Sequence, residues 1–166
     1  MAMTHYMELL AVNQPWNLIL FMAIPVILAE TVAISELQLL ASGSRSGPVR
    51  SLNRWSGVAA GIYFSGVFIW LMSTAVVPLT TSGGWRGWGD VVAVGFYLAG
   101  VVPLAGIALL DLNAIGRRMQ PASWRYLHAA LVGVFLVVAH VAMIFGMLDP
   151  TLAGWTDPAA MPGMAH

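Results

Sequence analysis

The sequence predicts an all-α integral membrane protein, a bundle of four transmembrane helices in up-down order. Of its 166 residues, 59% are hydrophobic and only 8% are charged, whereas a soluble domain usually carries about 25% charged residues. Four apolar runs have about the 20 residues that a helix needs to cross a bilayer. Short connections separate the runs, which favours neighbouring antiparallel helices.

The predicted helices cover residues of about 16–40, 55–79, 91–111 and 126–148. Glu30 and Glu36 interrupt the first helix, the second contains no charged residue, and the third carries Pro103. Residues 1–15 form a predicted N-terminal segment, residues 16–148 form the transmembrane bundle, and residues 149–166 form a C-terminal tail.

The arginines predict the orientation of the bundle. Cationic residues concentrate in cytoplasmic loops, and six of the seven arginines lie in or beside the first and third loops: Arg45, Arg50, Arg54, Arg117, Arg118 and Arg125. Both termini are therefore expected outside, which for a bacterial inner membrane protein means the periplasm. Predicted partners are the lipid bilayer and either other membrane subunits or further copies of the chain.

Composition excludes several functions. The formal net charge is zero, which gives no basis for binding nucleic acid. The chain contains no cysteine, so thiolate metal sites and disulfides are excluded. No phosphate-binding loop or nucleophile motif occurs, and no catalytic residue is predicted.

A layer of soft ligands is predicted in the outer half of the bundle. His140, Met143 and Met147 lie at i, i+3 and i+7, on one face of the fourth helix. The helical rise places His140 roughly 12 Å from the outer end of its helix, with Met22 and Met72 at similar depths on the first and second. Thioethers with an imidazole suit Cu(I), and a His–Met pair also ligates haem iron.

Small residues predict which face of the fourth helix points inward. The stripe that continues from His140 runs through Leu136, Gly133 and Ala129, and small residues mark the packed faces of membrane helices. The alternative interpretation is a histidine among methionines that only fill gaps in a helical core.

The two chain ends repeat the same residue types. Met3, His5 and Met7 lie near the N-terminus, and Met161, Met164 and His166 lie at the C-terminus. Both groups are expected on the periplasmic side, where they would form additional metal-binding segments. The alternative is a pair of tails without a binding role.

Glu30 lies near the middle of the first helix, where a charged carboxylate costs about 3 kcal/mol or more. It is therefore predicted to relay protons together with Ser65, which has a similar depth on the second helix. The alternative is a neutral acid hydrogen-bonded to Ser65. Glu36, Asp111 and His128 lie near the cytoplasmic surface and are expected to form interfacial ion pairs.

The residues together predict a small inner-membrane protein that binds a redox metal and acts in copper handling or electron transfer. Copper is favoured as the cofactor, with haem b as the second choice. Two other functions stay open: a non-catalytic structural or assembly subunit of a larger respiratory or transport complex, and a proton-coupled transporter that uses Glu30.

Overall fold

A computed structural model describes residues 3–43 and 46–156, and these residues form helices and turns. Four helices are long and apolar enough to cross a membrane, which confirms the predicted all-helical class and the four long helices and is consistent with a membrane bundle. In chain order the helices are α1 (His5–Ala11), α2 (Trp16–Ser42), α3 (Pro48–Ser82), α4 (Trp88–Asp111) and α5 (Pro121–Gly146), followed by a 3₁₀ turn at Pro150–Ala153.

Glycine and proline set the ends of the long helices. Gly43 and Gly83, which end α2 and α3, have φ values of 63° and 68°, a left-handed conformation that glycine adopts without strain. Pro48 and Pro121 begin α3 and α5, because proline lacks only an N–H that the first turn leaves unpaired. These signals extend α3 beyond the predicted range at both ends.

Pro25 distorts α2 in a way that joins three helices. The turn before it is π-helical, since proline cannot donate to the carbonyl four residues earlier. That carbonyl, of Phe21, instead accepts a 2.7 Å hydrogen bond from the Tyr97 hydroxyl of α4. The carbonyl of Leu20 accepts one of 2.9 Å from the Tyr63 hydroxyl of α3.

Small residues bring α3 and α4 together. A Cβ atom added at Gly61 would lie 2.5 Å from the Cβ of Ala108 and 2.6 Å from the carbonyl oxygen of Leu104. One added at Gly57 would lie 2.7 Å from a carboxylate oxygen of Asp111. The two helices can approach this closely only because both positions lack a side chain.

The four long helices form a curved row, in which α3 packs between α2 and α4, and α5 packs along α4. The first and last helices of the row, α2 and α5, contact each other only sparsely. One buried cluster at mid-height takes residues from all four helices: Ala29, Val32, Ala60, Phe64, Leu104, Ile107, Val132 and Phe135.

The short helix α1 crosses one end of the bundle, which we name the terminal end. The backbone N–H of His5 donates a 2.8 Å hydrogen bond to Asp90, and the His5 ring pairs with the same carboxylate. The Thr4 hydroxyl donates to the carbonyl of Gly146 at 2.6 Å. These contacts fix a helix that hydropathy did not predict. The opposite end, with the loops that follow α2 and α4, is named the arginine-rich end.

The predicted inward stripe of α5 does not coincide with the buried face of this helix. Gly133 and His140 are exposed, and a Cβ added at Gly133 would have no neighbour within 4 Å. The buried line of α5 instead contains His128, Val132, Phe135, Ala142 and Gly146. The reason is that α5 packs mainly on α4, and this packing sets which of its faces is buried.

Candidate functional site

A cleft of about 400 Å³ lies between α2 and α5, beneath α1. It exists because α2 and α5 make few contacts with each other, while α1 spans the gap at the terminal end. Its walls are mainly apolar and include aromatic rings of four residues: Phe21, Phe64, Phe96 and Phe135. Its size falls within the range of sites for small molecules and cofactors.

Methionines concentrate in this cleft. Seven of the chain's ten methionines belong to the described residues, and five of these line the cleft together with His140. They come from three separate parts of the chain: Met3 and Met7 from α1 and the residues before it, Met22 from α2, and Met143 and Met147 from α5. Four of the five residues predicted to form the metal layer thus line one cleft: Met22, His140, Met143 and Met147.

His140 carries a ring nitrogen that is free to bind a ligand. Its Nδ1 lies 2.6 Å from the carbonyl oxygen of Leu136, one turn earlier in α5. A carbonyl oxygen can only accept, so Nδ1 carries the hydrogen and Nε2 keeps its lone pair in the neutral imidazole. The side chain is exposed rather than enclosed in the core.

The α5 methionines are not core gap-fillers. Met143 is 39% exposed and Met147 is 65% exposed, so neither side chain fills a void between helices. Met22 is half-buried on the opposite wall. Exposed methionines on one wall and a half-buried one on the other thus all line the cleft.

The contribution predicted from α3 does not reach the cleft. Met72 packs against a buried cluster that includes Phe21, Val67 and Leu71, and it is not among the described residues that line the cleft. Ser65 is likewise outside the lining, and its hydroxyl donates to the carbonyl of Gly61 at 2.7 Å. Because α3 packs between α2 and α4, this face of α3 lies away from His140.

The three residues predicted as an N-terminal metal-binding segment, Met3, His5 and Met7, lie in two different places. Met3 and Met7 line the cleft, whereas His5 is held by Asp90 at the surface of the terminal end. Tyr6 also lines the cleft, and burial raises the pKa of its phenol, so it stays neutral at physiological pH. Met161, Met164 and His166 lie outside the described residues.

Glu30 lines the same cleft as His140. Its side chain is exposed and forms no hydrogen bond or ion pair with any described residue. A carboxylate at this depth of a membrane helix is costly unless it binds a proton or a cation. The prediction that Glu30 pairs with Ser65 has no support in the contacts of Ser65.

At the arginine-rich end, a buried polar cluster joins α2, α4 and α5. His128 is fully buried, with its Nε2 3.2 Å from Asp111 and its Nδ1 2.9 Å from Glu36. The contact to Glu36 is short but poorly directed for a hydrogen bond, so it acts as an ion-pair contact. The expected ion pairs form, and their side chains are buried between the helices.

Asn53 of α3 completes this cluster. Its amide donates to Glu36 at 3.2 Å and to the Ser35 hydroxyl at 3.0 Å, and Arg50 contacts Asp111 at 3.3 Å. Asn53 was not predicted as part of this cluster, although an amide within a membrane helix is itself a signal of interhelical hydrogen bonding. The cluster thus joins all four long helices at the arginine-rich end.

Within residues 3–43 and 46–156, no group of three or more His, Asp and Glu side chains is arranged to hold a metal ion. A site in the cleft would therefore depend on thioether sulfur together with the single imidazole of His140. This donor set suits a soft monovalent ion and not a hard divalent one.

Comparison with known proteins identifies a family. No curated protein and no solved structure matches the chain. The sequence matches the family of unknown function DUF6803 over residues 1–162, a range that includes α1, all four membrane-spanning helices and every residue that lines the cleft. The chain therefore belongs to the family of unknown function DUF6803.

Proposed function

We propose that this protein binds Cu(I) in the cleft between α2 and α5, through His140 and the surrounding thioethers. The observation that carries the proposal is the concentration of five methionines and one accessible imidazole around a single cavity. His140, Met143 and Met147 of α5 are far in the sequence from Met3, Met7 and Met22, so local composition alone does not account for the grouping.

The chemistry of the cleft supports a soft monovalent cation. Thioethers are neutral and polarizable, and they bind Cu(I) without bringing additional negative charge into an apolar site. The lone pair on Nε2 of His140 adds one stronger donor. The carboxylate of Glu30, in the same cleft, would balance the charge of the ion.

Arginine distribution supports a periplasmic position for this site. The positive-inside rule places the arginine-rich end in the cytoplasm, so the terminal end and its cleft would face the periplasm of a bacterial inner membrane. A copper site there would serve copper handling or electron transfer. Haem b is the second cofactor, favoured by the aromatic walls and by the His–Met donor set.

The test is a measurement of copper and iron in the purified full-length protein, with visible spectra of the oxidised and reduced states. We expect one Cu(I) per chain and no haem bands. His140→Leu should weaken Cu(I) binding by about tenfold or more in competition with a Cu(I) chelator, which corresponds to about 1.4 kcal/mol. The combined change of Met22, Met143 and Met147 to Leu should have a larger effect.

Leucine is a matched substitution, since it conserves volume and removes sulfur. Met72→Leu and Met119→Leu, both outside the cleft, are the controls and should bind Cu(I) normally. Haem bands that disappear in His140→Leu would assign the cleft to haem instead. Absence of both metals, with co-purifying membrane subunits, would replace the proposal with a structural or assembly role.

A second candidate function, proton-coupled transport, is favoured by the unpaired Glu30 in the cleft. Under this function, Glu30→Gln should abolish proton-dependent uptake into vesicles and leave the folded protein intact, because glutamine keeps the shape and loses the titratable group. Glu8→Gln, outside the membrane spans, is the control. Uptake that survives Glu30→Gln would contradict this candidate.

A further inference from the structure

A second cavity, of about 590 Å³, lies at the arginine-rich end. The first turns of α3 and α5 form its walls, together with the loop that follows α4. It lies at the opposite end of the bundle from the cleft, and nothing in the copper proposal uses it.

Four arginines line this cavity: Arg50, Arg54, Arg117 and Arg125. The acidic residues on its wall are Glu36 and Asp111, which belong to the buried cluster around His128. Four guanidinium groups against two carboxylates leave an excess of positive charge. The cavity is therefore suited to an anion.

Two of the arginines are free to bind a ligand. Arg50 already contacts Asp111, and Nε of Arg117 donates to a backbone carbonyl of the preceding loop. Arg54 and Arg125, by contrast, form no hydrogen bond or ion pair with any described residue. The Nε of Arg54 is buried without a partner, which is costly unless a ligand supplies an acceptor.

The helices that form the cavity add to its positive potential. Gly47, just before α3, and Pro121, the first residue of α5, both lie on its wall. The N-terminus of a helix carries a partial positive charge and unpaired N–H groups, which favour bound anions. These two helices have 24 and 26 residues before any interruption.

The rim of the cavity is apolar. Leu39, Leu40, Trp55 and Met119 line it beside the arginines, and Leu40 and Trp55 are 49% and 62% exposed. Charged groups inside an apolar rim match a molecule with an anionic head and a hydrocarbon tail. A basic pocket between membrane helices is a recognised form of anionic lipid site.

We propose that this cavity binds a phosphate group, with Arg54 and Arg125 as its principal ligands. Guanidinium groups bind phosphate oxygens through paired, charge-assisted hydrogen bonds. The apolar rim indicates that an anionic phospholipid supplies the phosphate. The site would bind lipid at the interface and stabilise the folded bundle.

The experiment uses the full chain, delipidated in neutral detergent, with thermal unfolding as the readout. Phosphatidylglycerol should raise the unfolding temperature, because a ligand that binds only the folded state stabilises it. Phosphatidylcholine, which has no net charge, should have a smaller effect. In the double variant Arg54→Gln/Arg125→Gln, the phosphatidylglycerol concentration needed for the same rise in unfolding temperature should be about tenfold higher.

Arg118→Gln is the matched control, since Arg118 lies in the same loop but does not line the cavity; it should keep the response. Stabilisation by millimolar inorganic phosphate, lost in the double variant, would support the phosphate site and name free phosphate as its source. An equal loss in Arg118→Gln would show a general charge effect and overturn the proposal. So would equal responses to the two lipids.

Discussion

His128 and His140 lie on the same helix, α5, yet their surroundings give them opposite roles. His128 is fully buried between the carboxylates of Glu36 and Asp111. His140 is exposed in the cleft, with Nδ1 bonded to its own helix and Nε2 accessible. One histidine thus stabilises the bundle, while the other is available to a ligand.

We expect His128→Leu to destabilise the folded protein by about 3–5 kcal/mol, because it leaves two buried carboxylates without their shared partner. His140→Leu should leave stability almost unchanged, since its side chain is exposed. Unfolding in detergent, followed by circular dichroism, measures both variants.

The two variants form a matched pair for function as well. His140→Leu should lose Cu(I) affinity and keep its unfolding midpoint, whereas His128→Leu should lower the midpoint. Equal midpoints for His128→Leu and the unmodified protein would contradict the structural role of the buried cluster.

At the scale of the elements, α1 determines how far the cleft is covered. It rests on α5 at Gly146, where an added Cβ would lie 2.7 Å from the Tyr6 ring. The pairing of His5 with Asp90 also holds α1 against α4. Met3 and Met7 reach the cleft only while α1 is docked in this way.

Gly146→Leu should therefore displace α1 and expose its amides, because a leucine side chain occupies the space of the Tyr6 ring. Hydrogen exchange in residues 5–11 should become faster, and Cu(I) affinity should fall as Met3 and Met7 leave the cleft. The measurements are hydrogen-exchange mass spectrometry and Cu(I) competition on the same sample.

Gly133→Leu is the control on the same helix, since an added Cβ there has no neighbour within 4 Å. It should leave exchange in α1 unchanged. Unchanged exchange in Gly146→Leu as well would mean that the glycine contact does not position α1.

On the scale of the whole molecule, the two ends of the bundle differ in the contacts that join the helices. Polar contacts among α2, α3, α4 and α5 hold the arginine-rich end, while α2 and α5 separate towards the terminal end. The two cavities lie at opposite ends, so membrane orientation decides which compartment each cavity faces.

The positive-inside rule predicts that the terminal end faces outside. Because the chain has no cysteine, single substitutions give a clean test. Ser82→Cys, at the terminal end, should react with a membrane-impermeant maleimide in intact cells. Ser123→Cys, at the arginine-rich end, should react only after permeabilisation.

The reverse labelling pattern would invert the topology and place the cleft in the cytoplasm. It would also remove the periplasmic copper-handling role, although not the copper site itself. Labelling from both sides would indicate a mixed orientation and contradict the prediction.

The sequence by itself determined the membrane class, the four helices and their approximate ends. The effects of hydropathy, glycine and proline on helix formation are local. A residue such as Pro48 or Gly83 therefore marks a helix end whatever the tertiary contacts of that helix are. The sequence also placed His140, Met22, Met143 and Met147 in the same half of the bundle, because position along a helix follows from helical rise alone.

Only the tertiary structure decided which of these residues meet. Helical rise does not specify rotation, so the inward face of α5 was predicted wrongly and Met72 was grouped with His140. The docking of α1 depends on two distant contacts. His5 and Asp90 are 85 positions apart in the sequence, and Thr4 and Gly146 are 142 positions apart, so no local pattern encodes either contact. The cleft exists because α2 and α5 diverge, and that separation follows from the packing of α3 and α4 between them.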